Sequence, residues 1–270
     1  MGTRINICHV ISKLRLENPN FCHIIYSRAK PLVWLFSLKP SIRPNHNLPF
    51  PPKIPSRKIM NSSPLIENRG QLIVFEGLDK SGKSTQSQKL KEALLKDGQF
   101  VDLWSFPDRN TKLGDVIDSY LNKRLELDDR SIHLLFSANR WEKVSKLIKL
   151  LESGTTVITD RYAFSGVAYS AAKGLPLEWC KQPDVGLPKP DCVIFLQLSP
   201  EAGAKRNGFG EERYEKTQFQ NKVLEQFMQI KDESWKIINA DQNMEDLHQE
   251  IYKHIKSLKK EELKRLWEKD

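Results

Sequence analysis

Apolar and polar positions change their rhythm abruptly near residue 70. From there on, short apolar runs alternate with longer segments in which apolar residues recur at three and four. "QLIVFE" (Gln71–Glu76) is too short and too uniformly apolar for a surface helix, and predicts a strand buried on both faces. "FVDLWSF" (Phe100–Phe106), "TTVITD" (Thr155–Asp160), "CVIFLQL" (Cys192–Leu198) and "WKIINA" (Trp235–Ala240) predict four more. Between the first two, "STQSQKLKEALLKDG" reads as a helix with Leu90, Leu94 and Leu95 on one side and Gly98 as its stop. The longest helical pattern is "SIHLLFSANRWEKVSKLIKLLESG". There Leu134, Leu135, Ala138, Trp141, Val144, Leu147, Ile148 and Leu151 mark an inward stripe. Another helix is expected after Glu211, and a charged one after Met244. This alternation argues for a single α/β domain on a parallel sheet, with ligands gathered at the carboxyl ends of the strands.

Charge adds a second division. The formal net charge is +9, yet residues 1–66 alone hold ten basic side chains against one acid, Glu17. Residues 67–270 carry 33 basic and 33 acidic side chains, so the body is neutral and no general nucleic-acid-binding surface is indicated there. The first 66 residues also contain nine of the fifteen prolines and show no sustained period. Basic, serine-containing and almost free of acids, they read as an organellar transit peptide, mitochondrial in the first instance with a plastid as the alternative. A disordered basic tail of another role competes with that. Met60 stands where an internal start would yield a cytosolic or nuclear form without the presequence. "PLVWLFSL" (Pro31–Leu38) is far short of the ~20 apolar residues that span a bilayer, so no membrane insertion is expected. The four cysteines show neither metal-ligand nor disulfide-framework spacing, and a reducing compartment follows.

Chemistry concentrates where the predicted strands end. Gly77-Leu-Asp-Lys-Ser-Gly82-Lys83-Ser84 fits G-x-x-x-x-G-K-[ST] between a strand and a helix. Such a loop curls its N–H groups around a triphosphate; Lys83 would neutralise the outer phosphates and Ser84 would offer its hydroxyl to Mg²⁺. Arg109, after the second strand, and Arg161, after the third, could clamp a phosphate with fork geometry. Phe136 and Arg140, four apart on one helix face, could stack on and hydrogen-bond a nucleobase. Each has a plainer alternative: Phe136 as core, Arg140 as solvated or lying near Glu142, Asp160 and Arg161 as cap or surface charge. Asp160 at a strand end could instead position Mg²⁺, directly or through water.

The ordered set "EGLDKSGKSTQ", "FPDR", "LLFSANRWE", "DRYAFSGVAYSAAKG", "PDCVIFLQLSPE" and "KRNGFGEERYE" resembles the thymidylate kinases of eukaryotic type across Gln71–Ile255. The resemblance implies a P-loop nucleoside monophosphate kinase fold, with a five-stranded parallel sheet flanked by helices, a short lid and a homodimer packed through helices. ATP and dTMP would be the substrates and Mg²⁺ the cofactor, giving dTDP and ADP for dTTP supply. It implies that Phe136 stacks on thymine and Arg140 bonds its polar edge. Arg109 and Arg161 would hold the acceptor phosphate and Asp79 would contact the sugar 3′-hydroxyl. Tyr169 would crowd the 2′ position and Tyr214 would close over the nucleotide. Phe106, Pro107, Ser165 and Gly166 complete that side. Gly77, Ser81, Gly82 and Thr85 join Lys83 and Ser84 around ATP, and Arg206, in the lid Lys205–Glu212, lies against adenine or the phosphates.

One departure concerns Lys80, where eukaryotic relatives usually carry arginine; lysine keeps the charge but loses the planar fork. Lys80, Lys83, Asp79, Asp160 and Arg161 are the candidate catalytic residues. Three rivals stay open on the sequence alone. A deoxynucleoside kinase would need a general base, for which Asp108 is the candidate. A GTP-dependent switch would need N-K-x-D, which "NKVL" (Asn221–Leu224) lacks. A basic-tailed nucleic-acid scaffold would need a basic body, and the body is neutral.

Overall fold

The computed structural model describes residues 69–206 and 208–268. The presequence and Met60 lie outside them. Five parallel strands form one sheet in the order β2-β3-β1-β4-β5: β1 (Leu72–Gly77), β2 (Val101–Ser105), β3 (Thr156–Asp160), β4 (Cys192–Gln197) and β5 (Trp235–Asn239). β1 is central, pairing with β3 on one side and β4 on the other. Its residues Leu72–Phe75 are fully buried, as a continuous apolar run demands of a strand covered on both faces. Alternate side chains feed two cores. Leu72 and Val74 join Leu147, Val157, Phe195 and Phe227, whereas Ile73 and Phe75 join Leu90, Leu94, Ile194 and Ile251.

Helices cover both faces: α1 (Lys83–Lys96), α2 (Lys112–Leu121), α3 (Asp129–Trp141), α4 (Val144–Glu152), α5 (Ala163–Ala171), α6 (Leu177–Lys181), α7 (Pro200–Ala204), α8 (Thr217–Ile230) and α9 (Met244–Ser257). Two expectations are corrected. The long helical pattern is two helices, broken at Glu142–Lys143, where the Lys143 N–H turns back to the Arg140 carbonyl and a new helix starts from the Lys143 carbonyl. Leu134 and Trp141, placed on the inward stripe, are exposed, and so is Leu95 of α1. The physical reason is that α3 turns a largely polar face inward. Its buried residues are Ile132, His133, Ser137, Asn139 and Arg140, each polar member finding a hydrogen-bond or ion-pair partner, buried for His133, Ser137 and Arg140 and half-buried for Asn139. The helix expected after Glu211 is α8, which begins at Thr217.

Beyond α9 the chain returns across the molecule. Leu266 is buried, donates its N–H to the Leu187 carbonyl and accepts from Gly186. Lys189 N–H bonds the Lys264 carbonyl. These bonds pin the segment that follows Asp184.

Candidate active site

At the carboxyl end of β1 the backbone enters the phosphate loop through Gly77, at φ 141°. A Cβ there would lie 2.6 Å from the Leu196 carbonyl oxygen, so only glycine fits. Gly82, at φ 98°, caps α1, whose first turn carries no acid to compete with an incoming anion. Lys83 is buried and donates from Nζ to the Leu78 carbonyl at 2.7 Å. Burial and the neighbouring Arg161 lower its pKa to about 8. Ser84 Oγ donates to the Asp160 carboxylate at the end of β3. Lys80 sits in the left-handed region at φ 60° and reaches Glu215 at 3.3 Å. Arg206 donates to the Lys80 carbonyl at 2.8 Å.

Lys80, Gly82, Lys83, Ser84, Thr85, Asp160 and Arg206 line a cleft of about 550 Å³, in the range of small-molecule sites. Gly77 and Ser81 lie beneath it. Ser81 is fully buried and holds the loop from below, its hydroxyl 3.4 Å from Lys83 Nζ.

A second, narrower cavity of about 100 Å³ opens from the same floor. All eleven residues expected on the acceptor side line it: Asp79, Phe106, Pro107, Arg109, Phe136, Arg140, Arg161, Ser165, Gly166, Tyr169 and Tyr214. Asp79, Phe106, Pro107, Arg109 and Arg161 line both cavities, so the two are one continuous site.

Its walls come from distant segments. Asp79 is ion-paired with Arg161 and accepts from Gln220 Nε2 at 2.7 Å, while its backbone N–H bonds Gln220 Oε1. Burial opposes the charge of Asp79, but Arg161 and Lys83 outweigh it and hold the carboxyl below the usual range. Arg109 pairs with Asp118 and with Glu212 of the lid, each at 2.6 Å. Arg140 is buried against Asp184 at 2.5 Å, and Asp184 also accepts from Ser137. Glu142 therefore is not its partner; it accepts from Asn139 instead. A Cβ on Gly166 would meet the Arg140 guanidinium at 2.8 Å, which explains glycine there. Phe136 lines the cavity and also packs against Ile117, Tyr120, Leu121 and Ile132, so site and core share it. Tyr214 stacks on Phe219, lies 5.5 Å from the Tyr169 ring and donates to the Tyr120 hydroxyl.

Leu121, Ser170 and Glu215, buried in the cavity walls, were not singled out from the sequence, and neither were Glu76, Asp184 and Gln220, which hold site residues from outside both cavities. No local spacing could mark the last three, because their partners are 44 to 141 positions away. A hydroxyl and a carboxylate, Ser84 and Asp160, form a hard-oxygen pair suited to Mg²⁺, which is commonly bound by one or two carboxylates plus substrate phosphates. No cluster of three or more His, Cys, Asp or Glu suited to a metal occurs among the described residues.

Residues 75–251 match the family model described as thymidylate kinase. The chain belongs to the thymidylate kinase family. It is 54% identical to the thymidylate kinase of Arabidopsis thaliana over 186 residues, covering 69% of this chain and 71% of that protein. With the thymidylate kinase of Homo sapiens it shares 51% over 187 residues, or 68% of this chain and 88% of the other. A solved thymidylate kinase from Candida albicans superposes with a TM-score of 0.68 at 38% identity, covering 73% of this chain and 98% of that one. The architecture is thus the P-loop nucleoside monophosphate kinase fold that the resemblance implied. Both cavities are built from residues inside the thymidylate kinase match.

Proposed function

We propose that the protein transfers the γ-phosphate of ATP to dTMP, giving dTDP and ADP and so serving dTTP supply. The observation that carries this is the continuity of the two cavities: a phosphate-loop cleft meets an aromatic- and arginine-lined slot at Arg161, Asp79 and Arg109.

In this reading Lys83 and the loop N–H groups hold the donor phosphates, and Arg161 and Arg109 hold the acceptor phosphate. Phe136 and Arg140 take the base, and Asp79 the sugar. Phosphoryl transfer rests on alignment and charge neutralisation, and an acceptor phosphate needs no general base. The state of Asp108 supports a phosphate over a hydroxyl acceptor. Its carboxylate is tied to Lys143 and to the Asn110 N–H, bonds that outweigh burial, lower its pKa and so weaken it as a base, and it lines neither cavity. Ser84 and Asp160 would hold Mg²⁺, which when bound adds positive charge at the transferring phosphate. Lys80 and Arg206 supply cations from the loop and lid. An acceptor panel of dTMP, dUMP, UMP, AMP and thymidine with ATP and Mg²⁺ tests the assignment. Turnover with thymidine but not dTMP would overturn it.

Homodimerisation is part of the proposal. Leu134 and Trp141 are exposed seven residues apart on α3, an apolar stripe suited to a second helix. Sedimentation of wild type against Leu134→Asp/Trp141→Asp checks it. The basic first 66 residues would direct import into mitochondria, or a plastid in the alternative, and Met60 would start a cytosolic or nuclear form. N-terminal sequencing of the products tests both. No nucleic-acid partner is proposed for the neutral body, and no helix of the described residues is long and apolar enough to cross a membrane.

A further inference from the structure

Glu76, the last residue before the phosphate loop, is fully buried beneath the site and touches neither cavity. Burying a carboxylate is costly unless it is fully bonded, so its partners say what it is for. One oxygen accepts the N–H groups of Tyr162 at 2.9 Å and Ser165 at 3.0 Å. The other accepts the Ser165 hydroxyl at 2.5 Å.

Those two N–H groups are the cap and third-position donors of α5, and Tyr162 provides no side-chain cap of its own. Glu76 therefore caps α5 from another strand, filling the place a local serine or aspartate normally takes. The negative charge also suits a helix N-terminus. Immediately before the cap, Arg161 stands at φ 67°, a left-handed conformation that is unfavourable for arginine and persists only where its surroundings enforce it. The Arg161 N–H is tied to the Phe75 carbonyl, next to Glu76, and the carboxylate ties down the residue that follows.

The side chain of Arg161 is governed through the same group. The Ser165 hydroxyl spends its hydrogen on Glu76, so its lone pairs are what the guanidinium meets, at 3.0 Å from Nη1. A hydroxyl is ambivalent, and the buried carboxylate removes the ambiguity.

We infer that Glu76 is a positioning residue for the acceptor phosphate, holding Arg161 by capping α5 and by fixing the direction of the Ser165 hydroxyl. This rests on the proposed role of Arg161 at dTMP.

Glu76→Gln keeps the shape and both N–H bonds but puts an amide donor against Ser165, turning the hydroxyl hydrogen toward the guanidinium. Steady-state kinetics of E76Q, S165A and E76Q/S165A, with circular dichroism and thermal melts, test the inference. Expected are a KM for dTMP raised about 10-fold in E76Q, the scale of one charge-assisted hydrogen bond, and a KM for ATP within about twofold of wild type. S165A should match E76Q, and the double variant should be no worse than either single one. An unchanged KM for dTMP, an equal rise in both KM values, or effects that multiply in the double variant would overturn the inference. Should E76Q fail to melt cooperatively, S165A decides: a KM for dTMP unchanged from wild type in S165A would sink it. Wild-type turnover of dTMP is measured in the same series. Its absence would overturn the acceptor assignment, and the Glu76 comparison would then be made with the nucleoside monophosphate that wild type accepts.

Discussion

The donor and acceptor halves of the site are built on opposite plans. The donor half is built mainly on one short stretch of chain, Gly77 to Thr85, joined by Asp160 and Arg206, and its glycines are dictated by close approach and left-handed turns. The acceptor half is assembled from side chains of six or more segments, each oriented by a buried partner elsewhere: Arg140 by Asp184, Arg161 by Asp79 and Ser165, Asp79 by Gln220. A backbone-made site depends on conformation, and a side-chain-made site depends on tertiary packing. Damage should therefore spread differently in the two halves.

The sharpest test of that contrast is Lys83→Ala. It should leave the fold intact and lower kcat by about 10³-fold, because a charge facing the transferring phosphate is lost; single-turnover measurements with saturating nucleotides check this. Asp184→Ala should do the reverse, striking stability first. It strands the buried Arg140 charge, a loss of about 3–5 kcal/mol, read as a large fall in the thermal midpoint. If Asp184→Ala melted like wild type, the dependence of the acceptor wall on packing would be wrong.

Lys80→Met probes the seam between the halves. Turnover should fall by about 10–10²-fold, far more than either KM rises, if Lys80 leaves Glu215 to meet the transferring phosphate. An unchanged kcat would confine Lys80 to fastening the lid. Phe136→Ala should weaken dTMP binding by about 1–3 kcal/mol, the scale of one base–aromatic stack, with ATP binding unaffected in the same titration.

The smallest effect belongs to pH. His133 accepts at Nδ1 from Ser170 and donates from Nε2 to the Cys180 carbonyl. Burial, then the charge of Arg140, depress its pKa below the usual 6.5. A depressed histidine binds its proton less well folded than unfolded, so stability is full above pH 6.5 and is lost as pH falls toward the folded pKa. The melt should fall between pH 7 and pH 5, and that fall should be reduced in His133→Gln, as thermal scans at the two pH values would show.

The same contrast governs what could be read from the sequence. The strands and the phosphate loop are local events, written in apolar runs and fixed glycine spacing, and β1 through Gly82 could be read residue by residue. The acceptor residues could be placed by resemblance, but not what holds them, since Asp184, Gln220 and Glu76 reach across 44 to 141 positions. The helical stripe misled for a related reason. Apolar spacing put Leu134 and Trp141 inside, whereas α3 turns Ser137, Asn139 and Arg140 inward because buried carboxylates and carbonyls await them there.

The lid carboxylates carry one more consequence. Glu212 lies on Arg109, and Glu215 on Lys80, with Glu215 also gathering the N–H groups of Gly210 and Glu212. Nucleotide entry is then an exchange reaction: each arriving phosphate must evict a tethered carboxylate from a cation it already owns. Net affinity becomes the difference between two strong contacts, which keeps product release from becoming prohibitively slow. Once evicted, Glu212 and Glu215 no longer hold the lid, so occupancy of the phosphate sites and movement of the lid become a single event.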